Sequence, residues 1–360
     1  MSDVLTPASI SELAEAIRSS ERVLAVGNGT KPRLSEAPAT RISMTGLQGI
    51  CEYHPSEFTF TALAGTTLRE LAETLGSRSQ YLPFDPALLE AGATLGGTVA
   101  AGLSGPGRCR FGGLRDFILG ARFLDATGQM LRVGGKVVKN AAGFDLPKFF
   151  VGSLGRFGVM TELTFKVFPA PPTTLTCRLF TENPAHATQV LLELSRARFE
   201  PDALDLPPND SRVLVRLAGP APALERMARD LVARWPGHVL AQEEAEPLWR
   251  VLREFSWAPP GGVLVKIPST PAQLPAFFEA LNLIEGGCAH ISSGGNVMFV
   301  SVPGVAEARA LSDRLTAFNL SGMTVRGCAP LWLGKPLQSG IVEAVKSALD
   351  PLGKFPGLKD

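Results

Sequence analysis

Ala93-Thr94-Leu95-Gly96-Gly97-Thr98-Val99-Ala100-Ala101-Gly102-Leu103-Ser104-Gly105-Pro106-Gly107, with Asp85-Pro86 just upstream, is the stretch on which the reading of this chain turns. Fifteen consecutive residues with so little side-chain bulk make a poor core. They make sense where main chain lies close against another group. The donors such a stretch offers are its backbone N–H groups and the hydroxyls of Thr94, Thr98 and Ser104. A diphosphate attached to a flat ring uses that combination, and a loop-rich crossover between two elements is the competing explanation.

Upstream, Val26-Gly27-Asn28-Gly29-Thr30-Lys31 follows an apolar β-like run at residues 22–26. Two glycines around an asparagine permit positive φ angles, so that successive N–H groups converge on phosphate oxygens. The segment lacks both GxxxxGK[ST] and a full GxGxxG opening a helix, so neither an ATP P-loop nor a Rossmann turn is supported. By itself it is equally an ordinary strand-ending turn. Downstream, residues 138–162 run VKNAAGFDLPKFFVGSLGRFGVMTE. Asp145 as N-cap with Pro147 in the first turn predicts a short helix there. Gly152, Gly155 and Gly158 then shape a tight loop before a strand at residues 159–167, a loop able to meet an adenine or ribose through main-chain atoms or to serve as a plain connection.

At 360 residues the chain should hold about two domains. Hydrophobic residues are 45%, charged residues 19%, and 37 Gly with 29 Pro stay short of low-complexity composition, so the chain reads as globular and turn-rich. A chain of this length buries about three quarters of its unfolded surface and needs no disulfide or structural metal to fold. Lys and Arg number 35 against 34 acids, a net charge of +1, which excludes the broad positive field of a nucleic-acid binder. Five cysteines, odd in number and far apart, form no CxxC pair and no iron–sulfur run. They are expected to be reduced, buried, cytosolic thiols. The N-terminal segment lacks a signal peptide's apolar stretch, and no window reaches eighteen apolar residues. The expected place is therefore the cytoplasm, with any association with the inner membrane made on its cytoplasmic face through partners.

Phe168-Pro169-Ala170-Pro171-Pro172 removes backbone donors and marks a boundary between a first domain, 1–170, and a second, 171–330. The first reads as mixed α and β, with β-like runs at 22–26 and 59–63 and helices starting after Pro7, Gly65 and Phe144. The second carries the order β-α-β-β-α-β twice. The first copy takes strands at 175–180, near 204, at 213–217 and near 239, with helices at 185–198 and 222–234. After a helix around 248–255, the second takes strands at 263–267, 289–292, 297–302 and 323–326, with helices at 271–283 and 305–318. Two ferredoxin-like halves of this kind give one broad antiparallel sheet with helices on one face. Residues 331–360 hold a helix at 341–349 and end Asp350-Pro351-Leu352-Gly353-Lys354-Phe355-Pro356-Gly357, a segment expected to return to the first domain.

Taken in order, GNGT, ATLGGTVAAGLSGP, RDFILGARFL and VKNAAGFDLPKFFVGSLGRFGVMTELTFKVFP resemble the FAD-binding domain of the vanillyl-alcohol oxidase and p-cresol methylhydroxylase (PCMH-type) group. Within it, the chain is most similar to the smaller FAD-binding subunit of bacterial glycolate oxidases. The resemblance is strong over residues 20–170 and fainter at DPLGKFPG. It implies an α+β fold: a two-subdomain PCMH-type FAD-binding domain and a cap domain of ferredoxin-like repeats. It puts Gly27, Asn28, Gly29, Thr30, Gly96, Gly97 and Thr98 on the FAD pyrophosphate, Ala101 and Gly102 near the flavin ring, and Gly158 and Val159 against the adenosine half. Thr94 and Ser104 complete the candidate cofactor-binding set. Members with covalent flavin often use a His in the first loop, and Asn28 stands in that place, so FAD is expected to be non-covalent.

The chain departs from the group in two places. Larger hydroxy-acid dehydrogenases carry a metal motif ending near HxGDGNxH, whereas here Gly287-Cys288-Ala289-His290-Ile291-Ser292-Ser293-Gly294-Gly295-Asn296 keeps one His and one Cys, so no metal is expected and His290 reads as a satisfied sheet residue. His54 reads likewise as structural. Relatives end DPxxxFNPGR, and here Lys354-Phe355-Pro356-Gly357-Leu358 lacks that Asn and Arg. Lys139 and Arg115 are each either a flavin or substrate-carboxylate partner or a surface charge, and no catalytic base is assigned.

The implied function is the oxidation of glycolate to glyoxylate by hydride transfer to flavin, in a complex with a larger FAD-binding subunit and an iron–sulfur subunit, since the chain encodes no second redox centre. Two other functions fit the same residues. One is an FAD-binding relay or assembly subunit without substrate chemistry, and the other a dehydrogenase of another small 2-hydroxy acid such as lactate.

Overall fold

The computed structural model describes residues 4–135, 146–336, 339–357 and 360. The chain forms two compact units. One comprises the chain up to Ser104, Gly113–Ala170 and the segment ending at Asp360; the other comprises Gly105–Gly112 and Pro171–Leu337.

The first unit begins with helix Ile10–Ser19, whose apolar Leu13, Ala14 and Ile17 fall on one buried stripe. Ser9 caps it, its hydroxyl accepting from the Glu12 N–H at 3.2 Å. Strands Val4–Leu5, Thr40–Ser43 and Val23–Val26 lie parallel in that order. A five-stranded antiparallel sheet follows, ordered Ile50–His54, Thr59–Leu63, Val159–Lys166, Ile118–Leu124, Met130–Gly134. Its central strand, VMTELTFK, is buried on both faces except at Glu162 and Lys166. Phe84 ties the core together, its ring 5.8 Å from Phe117 and 6.2 Å from Phe165, with Phe60 stacked 5.9 Å beyond. Such ring pairs add about 0.5–1.5 kcal/mol each beyond burial.

The C-terminal segment packs onto this unit. The Val23 N–H donates to the Lys354 carbonyl at 2.8 Å. Asp350, 4% exposed, accepts from the Lys354 N–H, the Phe355 N–H and the Lys346 ammonium at 2.8, 2.9 and 2.5 Å. The Lys346 ammonium also donates to the Arg156 and Phe355 carbonyls. Its helix runs Ser339–Leu349.

In the second unit, strands are ordered Ala203–Asp205, Val213–Gly219, Thr173–Leu179, Gly237–Val239 in one sheet. Cys288–Ser292, Val297–Val302, Val263–Pro268, Ser321–Arg326 and Trp332–Gly334 make the other, and every pairing is antiparallel. Numbered within each copy, both sheets read 2-3-1-4. Leu206 and Ile291 exchange backbone hydrogen bonds of 2.8 and 3.0 Å, so the second strands of the two copies meet edge to edge. Helices Pro184–Ser195, Ala221–Arg234, Leu274–Leu281 and Val305–Ala317 bury Leu191, Leu231, Phe277 and Leu311 in one continuous core on the sheet. On a 2-residue repeat, Leu204, Leu206, Val213 and Val215 join that core while Asp205 and Leu214 take the other face.

Three expectations change. The small-residue stretch, read from the sequence as main chain lying against a ligand or as a loop-rich crossover, holds an α-helix, Leu95–Ala101. Glycine's low helix propensity hides it, and packing on Ala64 compensates. The short helix expected at Asp145 is a 3-10 turn, Leu146–Phe150; Asp145 and Lys139 lie outside the described residues. Of the five free thiols only Cys177 is buried, while Cys51 and Cys328 are exposed and Cys109 and Cys288 half-buried. Cys51 is the extra residue where the Ile50–His54 strand bulges against Thr59–Leu63, which turns its side chain outward.

Candidate functional site

The first loop leaves the C-terminal end of strand Val23–Val26 and the helix Leu95–Ala101 approaches it from the far side. Thr94 makes the junction. Its Oγ1 caps the helix, accepting from the Gly97 N–H at 3.2 Å. A Cβ on Gly27 would lie 2.3 Å from that same oxygen, so only glycine lets the loop come this close. The Asn28 side-chain amide donates to the Gly92 carbonyl at 2.7 Å and ties the loop to the segment before the helix. Gly102 ends the helix at φ 59°, the left-handed region that glycine adopts without strain.

Two adjoining cavities result. One is lined by the first loop from Gly27 to Lys31, by Thr94, Gly97 and Ala101, and by Leu154. The other shares Gly27, Thr94 and Gly97 and adds Gly96, Met44, Ala64, Gly155, Gly158 and Met160. Their walls are largely backbone and small side chains, with Leu154, Met44 and Met160 adding apolar surface. This suits a flat, extended ligand with phosphate groups, because the glycine-rich loop and the helix bring N–H and hydroxyl donors to the wall.

Of the residues singled out in the sequence, Gly27, Asn28, Gly29, Thr30, Thr94, Gly96, Gly97, Ala101 and Gly158 line these cavities. Thr98, Gly102, Ser104 and Val159 do not. Thr98 is buried on the inner side of the helix with no partner for its hydroxyl, and Val159 starts the central strand with 0% exposure. The Gly102 position abuts the Gly152 backbone at 3.3 Å from a Cβ, and Ser104 Oγ accepts from the Leu114 N–H at 3.0 Å. Arg115 is exposed in the turn Leu114–Asp116, and His54 is exposed 3.7 Å from Glu52.

Sequence reasoning gave no role to the charged residue of the lining. Lys31, 7% exposed, is among the residues lining the first cavity, and its ammonium donates to Thr30 Oγ1 at 2.9 Å. Burial alone lowers its pKa to about 8, because removing the ammonium from water disfavours its charge. The signal was its place directly after the glycine turn; its burial is a tertiary property. Among the described residues, no His, Cys, Tyr, Asp or Glu lines either cavity.

The second unit holds the other polar cluster. His290 Nε2 lies 2.7 Å from Asp205 Oδ2, and the Asp205 Oδ1 accepts from Ser292 Oγ and the Ser293 N–H at 3.1 and 3.0 Å. Both residues are at most 1% exposed. Asp205 sits in the apolar run Ala203-Leu204-Asp205-Leu206, and that placement was its only sequence signal. Cys109 lies near it; burial first, then the Asp205 charge, pushes its thiol up to about 12, so it is no nucleophile. Among the described residues, no group of three or more His, Cys, Asp or Glu is placed to hold a metal ion, and no helix is long and apolar enough to cross a membrane.

Comparison with known proteins places this geometry. Among relatives, glycolate oxidase subunit GlcE of Escherichia coli (strain K12) is 36% identical over 208 residues, covering 58% of this chain and 56% of that subunit. Glycolate oxidase subunit GlcD of Bacillus subtilis (strain 168) is 31% identical over 156 residues, 43% of this chain and 33% of that one. D-lactate dehydrogenase of Anaerostipes hadrus is 30% identical over 164 residues, covering 46% and 34%. The match thus spans about half of the first relative and a third of the next two. The solved structure of alkyldihydroxyacetonephosphate synthase superposes with a TM-score of 0.72 at 17% identity over 97% of this chain and 76% of that one, a likeness of fold. Residues 2–134 match the family described as FAD binding domain, and the chain therefore carries an FAD-binding domain, within which both the first loop and the helix Leu95–Ala101 fall.

Proposed function

We propose that this chain is the FAD-binding subunit of a glycolate oxidase type of complex, oxidising glycolate to glyoxylate together with a larger FAD-binding subunit and an iron–sulfur subunit. The observation that carries this reading is the likeness to the GlcE subunit over 208 residues, beside the glycine-lined cleft that the structure displays. Bound FAD supplies the two-electron acceptor for the α-carbon hydride. The chain's own part is to hold that group: Gly27 and Gly96 let the loop and the helix pack close beside Thr94 and Ala64, Gly97 keeps a methyl out of the cleft, and Thr30 and Thr94 present hydroxyls. Gly158, beyond the matched residues, closes the cleft on the side of the Val159–Lys166 strand. FAD in this cleft is dissociable, since no His, Cys or Tyr among the described lining residues offers an attachment atom.

One observation favours a second reading, a flavin subunit that relays electrons or assists assembly without substrate chemistry. The described cleft contains no carboxylate or imidazole to take the hydroxyl proton of a 2-hydroxy acid. The visible spectrum of the purified chain, before and after acid precipitation, followed by anaerobic glycolate and, in a separate sample, D-lactate, tests both. Flavin that moves to the supernatant and is bleached by glycolate supports the first reading. Bleaching by D-lactate alone moves the substrate, flavin without bleaching supports the relay, and protein that stays colourless after added FAD refutes both.

A further inference from the structure

The cleft holds one charged side chain among its described lining residues, and it is buried. Every other lining residue is neutral, whereas Lys31 is 7% exposed and makes no ion pair among the described residues. Its neighbour is Thr30 Oγ1 at 2.9 Å. A buried ammonium without a counter-ion is costly, and it persists where an incoming anion completes it. The loop around it is open: Gly29 stands at φ 69°, and a Cβ there would meet no atom within 4 Å. Lysine serves as a mobile point charge for phosphate oxygens, reaching them from a loop whose N–H groups supply the directional bonds. A flavin ring is neutral, so the group that needs a positive charge is the diphosphate.

We propose that Lys31 supplies the positive charge for the cofactor's diphosphate and makes the cleft selective for diphosphate-bearing ligands. This inference rests on the flavin reading above and adds a residue and a selectivity to it. Neutralising the ammonium weakens any ligand that carries the diphosphate and leaves ligands without it unchanged.

The test uses apoprotein of the full chain titrated with FAD, ADP and adenosine, for wild type, Lys31→Met, Lys31→Gln and Lys31→Arg. A charge-assisted hydrogen bond of ordinary strength corresponds to a loss of about 10- to 100-fold. FAD and ADP should weaken together by that factor in Lys31→Met and Lys31→Gln and recover largely in Lys31→Arg. Unliganded Lys31→Met should melt no lower than wild type, which a merely structural lysine would not allow. Unchanged FAD and ADP affinities in Lys31→Met or Lys31→Gln overturn the inference while leaving the FAD-binding domain intact. So does weakening of FAD with ADP unchanged, which would put the charge against the ring. If neither neutral variant folds, wild-type ADP binding no tighter than adenosine overturns it. Wild-type apoprotein that takes up neither FAD nor ADP refutes the flavin reading itself.

Discussion

Gly96 and Gly97 are adjacent in sequence, and the structure gives them different jobs that one pair of substitutions separates. In Gly96→Ala the new methyl carbon would lie 2.8 Å from Ala64 Cβ and 3.0 Å from the Ala64 carbonyl oxygen. Optimal carbon–carbon contact is about 3.5–4.0 Å. Neither obstacle is a side-chain end that can swing away, and the Gly96 N–H donates to that same carbonyl at 2.8 Å, so the helix must lift off the sheet and loosen this bond. Overpacking of this kind costs about 1–3 kcal/mol, and the lost bond about 1 kcal/mol more. Alanine's better helix propensity returns about 1 kcal/mol, leaving a net loss of about 1–3 kcal/mol. In Gly97→Ala the methyl meets only Thr94 Oγ1, at 2.9 Å, and that hydroxyl can rotate. The propensity gain then roughly offsets a weakened cap, and stability should stay within about 0.5 kcal/mol of wild type. Gly97 lines both cavities, however, so the harmless methyl enters the cleft and FAD affinity should fall at least about tenfold. Residues 94–102 contain no tryptophan or tyrosine, so intrinsic fluorescence carries no local signal of this helix. Amide hydrogen exchange across residues 94–102 does, with FAD titration of each variant alongside. Gly96→Ala protected as well as wild type, or Gly97→Ala destabilised as much as Gly96→Ala, would refute the packing argument.

The remaining predictions concern buried charges. Asp350→Ala strips three donors of their acceptor in the C-terminal segment and should lower stability by about 3–5 kcal/mol, read by denaturant unfolding; a change below about 1 kcal/mol would mean the segment does not hold the first unit. Asp205→Ala leaves His290, Ser292 and the Ser293 N–H without their shared acceptor and should cost about 3 kcal/mol. The Trp257 ring lies 6.1 Å from His290, so a tryptophan emission change should accompany that loss, and its absence would count against the arrangement. Lys31, at about 8 in the folded chain against the ordinary 10.5, binds fewer protons folded than unfolded between those values, so apoprotein stability should rise with pH across that window. The full penalty, about 3 kcal/mol, applies below pH 8. Unliganded Lys31→Met should therefore exceed wild type at pH 7 and lose that advantage by pH 10.5, and an equal gap at both pH values would show the lysine titrating normally.

Much of the architecture was local enough to be written in the chain. Period-2 runs such as Val213, Val215 and Leu217, and capping residues such as Ser9 and Asn183, mark strands and helix starts without help from distant residues. Their order alone displayed the doubled β-α-β-β-α-β unit. The glycine-rich segments announced themselves because side chains are missing there, and a missing side chain is as visible in sequence as a present one. What the sequence could not express was which small residues are small for whose sake. Gly27 is glycine because of Thr94, and Gly96 because of Ala64, contacts that span 67 and 32 positions and exist only once the sheet and the helix have met. The same holds for charge. Neither a lysine after a glycine turn nor an aspartate between leucines declares its burial in sequence; folding takes Lys31 and Asp205 out of water. Sequence determined the elements and the glycine-lined loops, because propensity, capping and steric freedom are short-range. Tertiary structure alone decided which loops share a cleft and which charges are buried in it, because desolvation depends on every atom that packs around a group.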